Sequence, residues 1–78
     1  MISTDEIEKM LQAEMPDAII GVMDLTGTAD HFEARVQWSG FKGMMLIDQH
    51  QKINQILKEA LGDGRIHALK IKTIVPQA

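Results

Sequence analysis

The histidines are the side chains whose chemistry is easiest to anticipate. The chain has 78 residues with three histidines and no cysteine. Neutral imidazole is a common nitrogen ligand for iron and zinc. His31 and His67 each open a segment with the composition of a β-strand. We therefore treat them as candidate metal ligands. Two nitrogens fall short of a closed four-coordinate site, so further ligands would have to come from elsewhere.

The clearest strand pattern follows His31. Apolar residues alternate with polar ones from Phe32 to Trp38, which predicts a strand with one buried and one wet face. A β-forming segment from Ala18 to Leu25 precedes it, and turn-prone residues 26–30 join the two, as in an antiparallel hairpin. The last strand is predicted from Ile66 to about Val75.

Helix signals flank these strands. Ser3 and Glu6 have the spacing of a capping box, and the apolar stripe that follows is stopped by Pro16. After the second strand, we expect one helical turn from Met44 to Ile47. A further helix should begin at Asp48 and end before a C-terminal glycine, Gly62. The predicted order of elements is αββααβ.

This order groups two of the three histidines. A strand–helix–strand connection within one sheet normally returns parallel and right-handed. If the second and third strands are neighbours, His31 and His67 begin adjacent strands at the same end, with strand centres about 5 Å apart. His50 is near the start of the intervening helix, at the opposite end. The sequence thus predicts an α+β fold whose three-stranded mixed sheet brings His31 and His67 together.

Charge bears on nucleic-acid binding. A net charge of -3 argues against a generic binder of the phosphate backbone. Gly40 and Gly43 have the spacing of the G-x-x-G loop by which KH domains clamp nucleic acid, although here the loop follows a strand. A local basic patch remains an alternative, and its candidate nucleic-acid-binding residues are Lys42, Arg65, Lys70 and Lys72.

Other classes of protein lack support in the sequence. There is no nucleophile–base arrangement, G-x-S-x-G motif or phosphate-binding P-loop, so we predict that the protein is not an enzyme. No apolar run approaches the ~18 residues of a membrane span. The acidic N-terminus is the opposite of a signal peptide. We therefore expect a cytoplasmic protein without membrane association.

Several motifs together resemble those of BolA-like proteins. They are His31-Phe32, the Phe41-x-Gly43 pair, His50, and the segment from Ile66 through His67 to Ile71. The match extends over nearly the whole chain and is closest to the short bacterial branch linked to acid stress. The resemblance implies a single BolA-like domain over residues 1–78 with a class II KH-like αββααβ fold, in which the helices pack on one face of the sheet.

The resemblance also implies a function. BolA-like proteins partner monothiol glutaredoxins through a bridging [2Fe-2S] cluster, held on the other side by the glutaredoxin cysteine and a glutathione thiolate. His67 matches the family's cluster histidine. The second family ligand, Cys or His, lies in the loop before the second strand, where this chain offers His31. Gln49 departs from the family, which usually has arginine there.

The leading prediction is thus a non-enzymatic adaptor in iron–sulfur cluster trafficking or iron and stress regulation, monomeric or weakly dimeric when free. The alternative is a KH-like nucleic-acid-binding transcriptional regulator. A third possibility is a module that binds glutaredoxin without any cluster.

Overall fold

The structure, a computed structural model that describes residues 2–76, is organised around a sheet of three strands. The elements follow the predicted order αββααβ, which confirms the α+β class. Their bounds are α1 Thr4–Glu14, β1 Ile19–Asp24, β2 His31–Gln37, α2 Leu46–Ile56, α3 Lys58–Gly62 and β3 Ala68–Ile74, with a 3-10 turn at Ser39–Phe41 after β2.

The central strand is β2, and its two neighbours run in different directions. β1 pairs with β2 antiparallel, with Ile19 opposite Gln37. β3 pairs with β2 parallel, with His31 opposite Ala68. The mixed sheet is therefore as predicted. The parallel pair follows from the helical connection, which carries the chain back to the starting end of β2.

The helices cover only one face of this sheet. Phe32, Ala34 and Val36 point from β2 into a core built with helical residues such as Leu11 and Ile53, all of them nearly inaccessible to solvent. The opposite face carries the exposed side chains Arg35, Lys70 and Lys72. The apolar side chains that alternate along the strands thus pack against the apolar faces of the helices, and together they form one layer.

The start of α1 agrees with its sequence signal. Ser3 accepts from the Glu6 amide at 3.1 Å, and the Glu6 carboxylate accepts from the Ser3 amide at 3.3 Å. Ile2 and Ile7 are both buried, as expected for a hydrophobic staple. Glu8 on the same helix accepts from the Val22 amide of β1 at 3.3 Å. The cap fixes where α1 begins, and Glu8 ties the helix to the sheet.

The prediction for the start of α2 is wrong. Met44 to Ile47 forms no helical turn of its own, and α2 begins at Leu46 instead of Asp48. The extended N-cap position belongs to Met45, which makes no side-chain cap. Asp48 lies within the first turn, where a carboxylate interacts favourably with free amides without capping them. The short extra helix comes later, as α3, because Leu57 leaves the helical conformation.

The prediction for the end of this helical region is also wrong. Gly62 is the last residue of α3 and not the glycine beyond it. The left-handed position is two residues later, at Gly64 with φ +85°, where a residue without Cβ is favoured. The extra turn delays β3, so that His67 directly precedes the strand and does not lie in it.

Within residues 2–76, no helix is long and apolar enough to cross a membrane.

Candidate metal-ligand site

Parallel pairing of β2 and β3 brings His31 and His67 together at one edge of the sheet. His31 is the first residue of β2 and lies opposite Ala68, the residue that follows His67. The two imidazole ring centroids are 5.5 Å apart, with the ring planes at 78°. His67 is exposed and His31 is half-buried. The predicted meeting of these two side chains is confirmed.

The backbone holds both histidines in place. The Asp30 carbonyl accepts from the amides of His67 and Ala68, at 3.1 Å each. The Leu25 amide donates to the His31 carbonyl at 2.8 Å and closes the β1–β2 hairpin. The residue before one histidine therefore binds the other histidine directly, which couples their positions.

One ring nitrogen of His31 is unusual. Its Nδ1 is buried, and no described residue offers it a hydrogen bond. Buried polar atoms are paired in the great majority of cases, and an unpaired one costs about 1–3 kcal/mol. A buried group left in this state is more easily explained by a functional constraint than by stability.

The ligand set at this edge is incomplete. Among residues 2–76, no three or more His, Asp or Glu side chains are grouped so that they could hold a metal ion. Asp30 is exposed, and its carboxylate accepts from the Thr28 hydroxyl at 3.3 Å. Glu33 is buried and pairs with Arg35 at 3.7 Å. The edge therefore offers two imidazoles, and a metal centre here would take its remaining ligands from another molecule.

His50 lies away from this pair, at the start of α2. Its neighbour Gln49 is buried and accepts a hydrogen bond from the Thr73 hydroxyl near the end of β3. The seven residues of β3 span roughly 20 Å, and His67 precedes their other end. His50 is thus placed at the opposite end of the sheet, as predicted.

Sequence reasoning missed the role of Gln49. By the family pattern, Gln49 is only a departure from the usual arginine. The structure shows that Gln49 donates to the Met44 carbonyl at 2.9 Å and also bonds Thr73. It therefore joins the start of α2 to β3. A partner 24 residues away leaves no local signal in the sequence.

The four candidate nucleic-acid-binding residues do not form one cluster. Lys70 and Lys72 are exposed on the open face of the sheet. Arg65 pairs with Asp63 at 2.9 Å, near the histidine pair. Its backbone amide, followed by its guanidinium, lowers the pKa of the Asp63 carboxyl. Lys42 follows the 3-10 turn at the other end of β2.

The two glycines of the G-x-x-G segment are explained by the fold. A Cβ on Gly40 would lie 2.4 Å from atoms of the Trp38 ring, and Gly43 has φ +82°. Trp38 itself is half-buried rather than fully in the core. Its indole N–H donates to Asp17 at 2.9 Å. The spacing of these glycines thus needs no nucleic acid to account for it, and nucleic-acid binding stays a prediction.

Known proteins share both the sequence pattern and the fold. The family model for BolA-like proteins matches residues 20–78. An uncharacterised protein of Rickettsia prowazekii is 37% identical over 73 residues, which are 94% of each chain. Among solved structures, BolA1 from Arabidopsis thaliana has a TM-score of 0.84 at 27% identity, over 94% of this chain and 90% of that one.

A second plant structure gives the same result. The BolA domain of SufE1 from Arabidopsis thaliana has a TM-score of 0.83 at 26% identity, over 94% of this chain and 91% of that one. The family model and the sequence relative agree with the likeness in fold, so this chain belongs to the BolA-like family.

Proposed function

We propose that this protein is a non-enzymatic adaptor that binds a monothiol glutaredoxin through a bridging [2Fe-2S] cluster, with His31 and His67 as its two ligands. The role would lie in iron–sulfur cluster trafficking or in iron and stress regulation. The observation that carries the proposal is the imidazole pair, 5.5 Å between ring centroids, at an edge where His31 Nδ1 has no partner among the described residues.

The donor set fits one half of such a cluster. Each iron in a [2Fe-2S] cluster needs two ligands besides the bridging sulfides, and two histidines serve one iron in Rieske centres. This chain has two adjacent imidazoles and no cysteine. The other iron would take the glutaredoxin cysteine and a glutathione thiolate. An incomplete site on one chain is what a shared cluster requires.

The two histidines have different tasks in this scheme. His67 is exposed and can meet a ligand that arrives with another protein. His31 is half-buried and fixed in the first pair of the β2–β3 ladder, so it holds a constant position. Neutral imidazoles leave the cluster less negative than thiolates would and raise its reduction potential. They must also be unprotonated to bind, which makes retention of the cluster sensitive to acid.

The test is anaerobic reconstitution of the protein with a monothiol glutaredoxin, iron, sulfide and glutathione, followed by visible circular dichroism. We expect the wild type to give a spectrum distinct from that of the glutaredoxin alone. His67→Ala should abolish this spectrum or return it to that of the glutaredoxin homodimer, because one iron loses a ligand.

The matched control is His50→Ala, which removes an imidazole at the opposite end of the sheet and should leave the mixed spectrum intact. His31→Ala should behave like His67→Ala. A glutaredoxin spectrum unchanged by the addition of wild-type protein would overturn the proposal. Equal effects of His50→Ala and His67→Ala would overturn the assignment of ligands.

A further inference from the structure

The loop between β1 and β2, residues 25–30, is organised by a single carboxylate at the end of β1. Asp24 Oδ1 accepts from the amides of Thr26 at 3.2 Å and Gly27 at 2.9 Å. Asp24 Oδ2 accepts from the amide of Ala29 at 2.9 Å. One side chain thus satisfies three backbone donors in a loop of six residues.

The backbone of this loop needs such support. Gly27 has φ +73° and Ala29 has φ +59°, so the chain enters the left-handed region twice within three residues. Alanine rarely adopts that conformation, because its Cβ crowds the backbone. Hydrogen bonds to an ionised carboxylate are stronger than neutral ones. The bond from the Ala29 amide to Asp24 therefore holds Ala29 in a conformation that its side chain disfavours.

The conformation of Ala29 is transmitted to the histidine pair. Asp30, the next residue, directs its carbonyl to the amides of His67 and Ala68. The same residue leads directly into His31. A change at Ala29 would rotate the Asp30 peptide, and with it the contact that fixes His67 relative to His31.

We propose that Asp24 is a positioning residue for the histidine pair: by fixing the loop of residues 25–30, its carboxylate sets the separation of the two imidazoles. Its importance for a cluster rests on the function proposed above. Its effect on the spacing of the rings applies to the free protein as well, and this allows the two ideas to be tested separately.

The first experiment uses the free protein and needs no iron. In wild type, we expect a nuclear Overhauser effect between the imidazole protons of His31 and His67, and slow exchange of the His67 and Ala68 amides. Asp24→Ala should weaken this nuclear Overhauser effect and make the two amides exchange about tenfold faster, because the loop loses its hydrogen bonds to a charged acceptor. Asp24→Asn keeps one acceptor oxygen and should give an intermediate result.

Exchange in the core separates a local effect from general instability. The amides of Leu11 and Ile53, in α1 and α2, should exchange at wild-type rates in Asp24→Asn. If the effect of Asp24 were only on overall stability, these amides would exchange faster as well, and the inference would be wrong.

The second experiment repeats the reconstitution with glutaredoxin and follows the loss of the mixed dichroism signal over time. Asp24→Ala should lose it about tenfold faster than wild type, because the ligand pair is no longer preorganised. Thr26→Ala alters the same loop but keeps the backbone amide that donates to Asp24, and Asp48→Asn makes a matched change of charge in α2. Both controls should match wild type.

The outcomes distinguish the two proposals. If wild-type protein gives no mixed signal, the proposed function is overturned, and the imidazole contact in the free protein still decides whether Asp24 sets the spacing. If the mixed signal forms and Asp24→Ala equals wild type in both experiments, only the role of Asp24 is overturned.

Discussion

The two ends of the sheet are built differently. At the histidine end (His31, His67 and the loop of residues 25–30), an imidazole nitrogen is buried without a described partner, and the second imidazole is exposed. At the tryptophan end (Trp38, Gly40, Phe41, Gln49 and Thr73), the buried amide of Gln49 is bonded through both of its polar atoms.

Trp38 contacts several side chains at its end of the sheet. The Trp38 and Phe41 rings meet edge-on, with their centroids 5.2 Å apart. The Lys52 amine lies 5.3 Å from the centroid of the Trp38 ring. Gly40, which has no Cβ, allows the backbone to approach the Trp38 ring closely. The side chains of the tryptophan end thus contact one another, whereas the histidine end keeps one buried ring nitrogen without a partner among the described residues. Measurements of stability at the two ends can test this difference.

The largest effect is expected from Gly40→Ala. The new Cβ would lie 2.4 Å from ring atoms of Trp38, so the indole must move and lose its contacts with Asp17 and Lys52. We expect a loss of about 2–3 kcal/mol, typical of overpacking, measured by urea unfolding. Fluorescence of the single tryptophan should shift to the red.

Gly21→Ala is the matched control, because nothing lies within 4 Å of a Cβ at that position on the open face. Its stability should stay within about 0.5 kcal/mol of wild type. Equal losses from the two substitutions would mean that the packing of Trp38 does not stabilise the fold.

The next effect is at the hydrogen bond between Thr73 and Gln49. Thr73→Val removes the donor and leaves the buried Gln49 oxygen unpaired, which should cost about 1–2 kcal/mol and lower the melting temperature by several degrees. Thr73→Ser keeps the hydroxyl and should retain most of the stability. A double-mutant cycle with Gln49→Leu should show coupling of about 1 kcal/mol, and additive effects would contradict the bridge.

A smaller effect is expected at the histidine end. His67→Ala removes an exposed ring but keeps the backbone amide that binds the Asp30 carbonyl. The free energy of unfolding should change by less than about 0.5 kcal/mol, even though the same substitution should abolish the mixed cluster. If His67→Ala lost as much stability as Gly40→Ala, the His67 side chain would contribute to folding, and the two ends of the sheet would not differ in this respect.

The smallest effect concerns acid. Because the Arg65 amide lowers the pKa of Asp63 in the folded state, this carboxylate adds stability above its unfolded pKa. That contribution is lost as pH falls through the folded pKa, below about pH 4. Titration of the Asp63 carboxyl by NMR should show that its pKa stays lowered in Arg65→Gln, which keeps the amide, although less than in wild type. If the Asp63 pKa returned fully to its ordinary value in Arg65→Gln, the guanidinium would be the main cause of the lowering.

The sequence by itself determined much of this protein. Alternation from Phe32 to Trp38, the capping box at Ser3 and the helical crossover were enough to predict the order αββααβ and the meeting of His31 with His67. These features are local or follow from the handedness of the crossover, so they can be recognised in one chain. The family motifs added the prediction that His67 is a cluster ligand.

Only the tertiary structure decided the rest. In the structure, α2 begins at Leu46 and the left-handed residue is Gly64. Gln49 and Asp30 form hydrogen bonds with residues far along the chain. Helix ends and buried hydrogen bonds depend on which groups meet after folding, and no local pattern records that. The same reason explains why the Asp24 carboxylate, an ordinary residue at the end of a strand, could be connected to the histidine pair only in three dimensions.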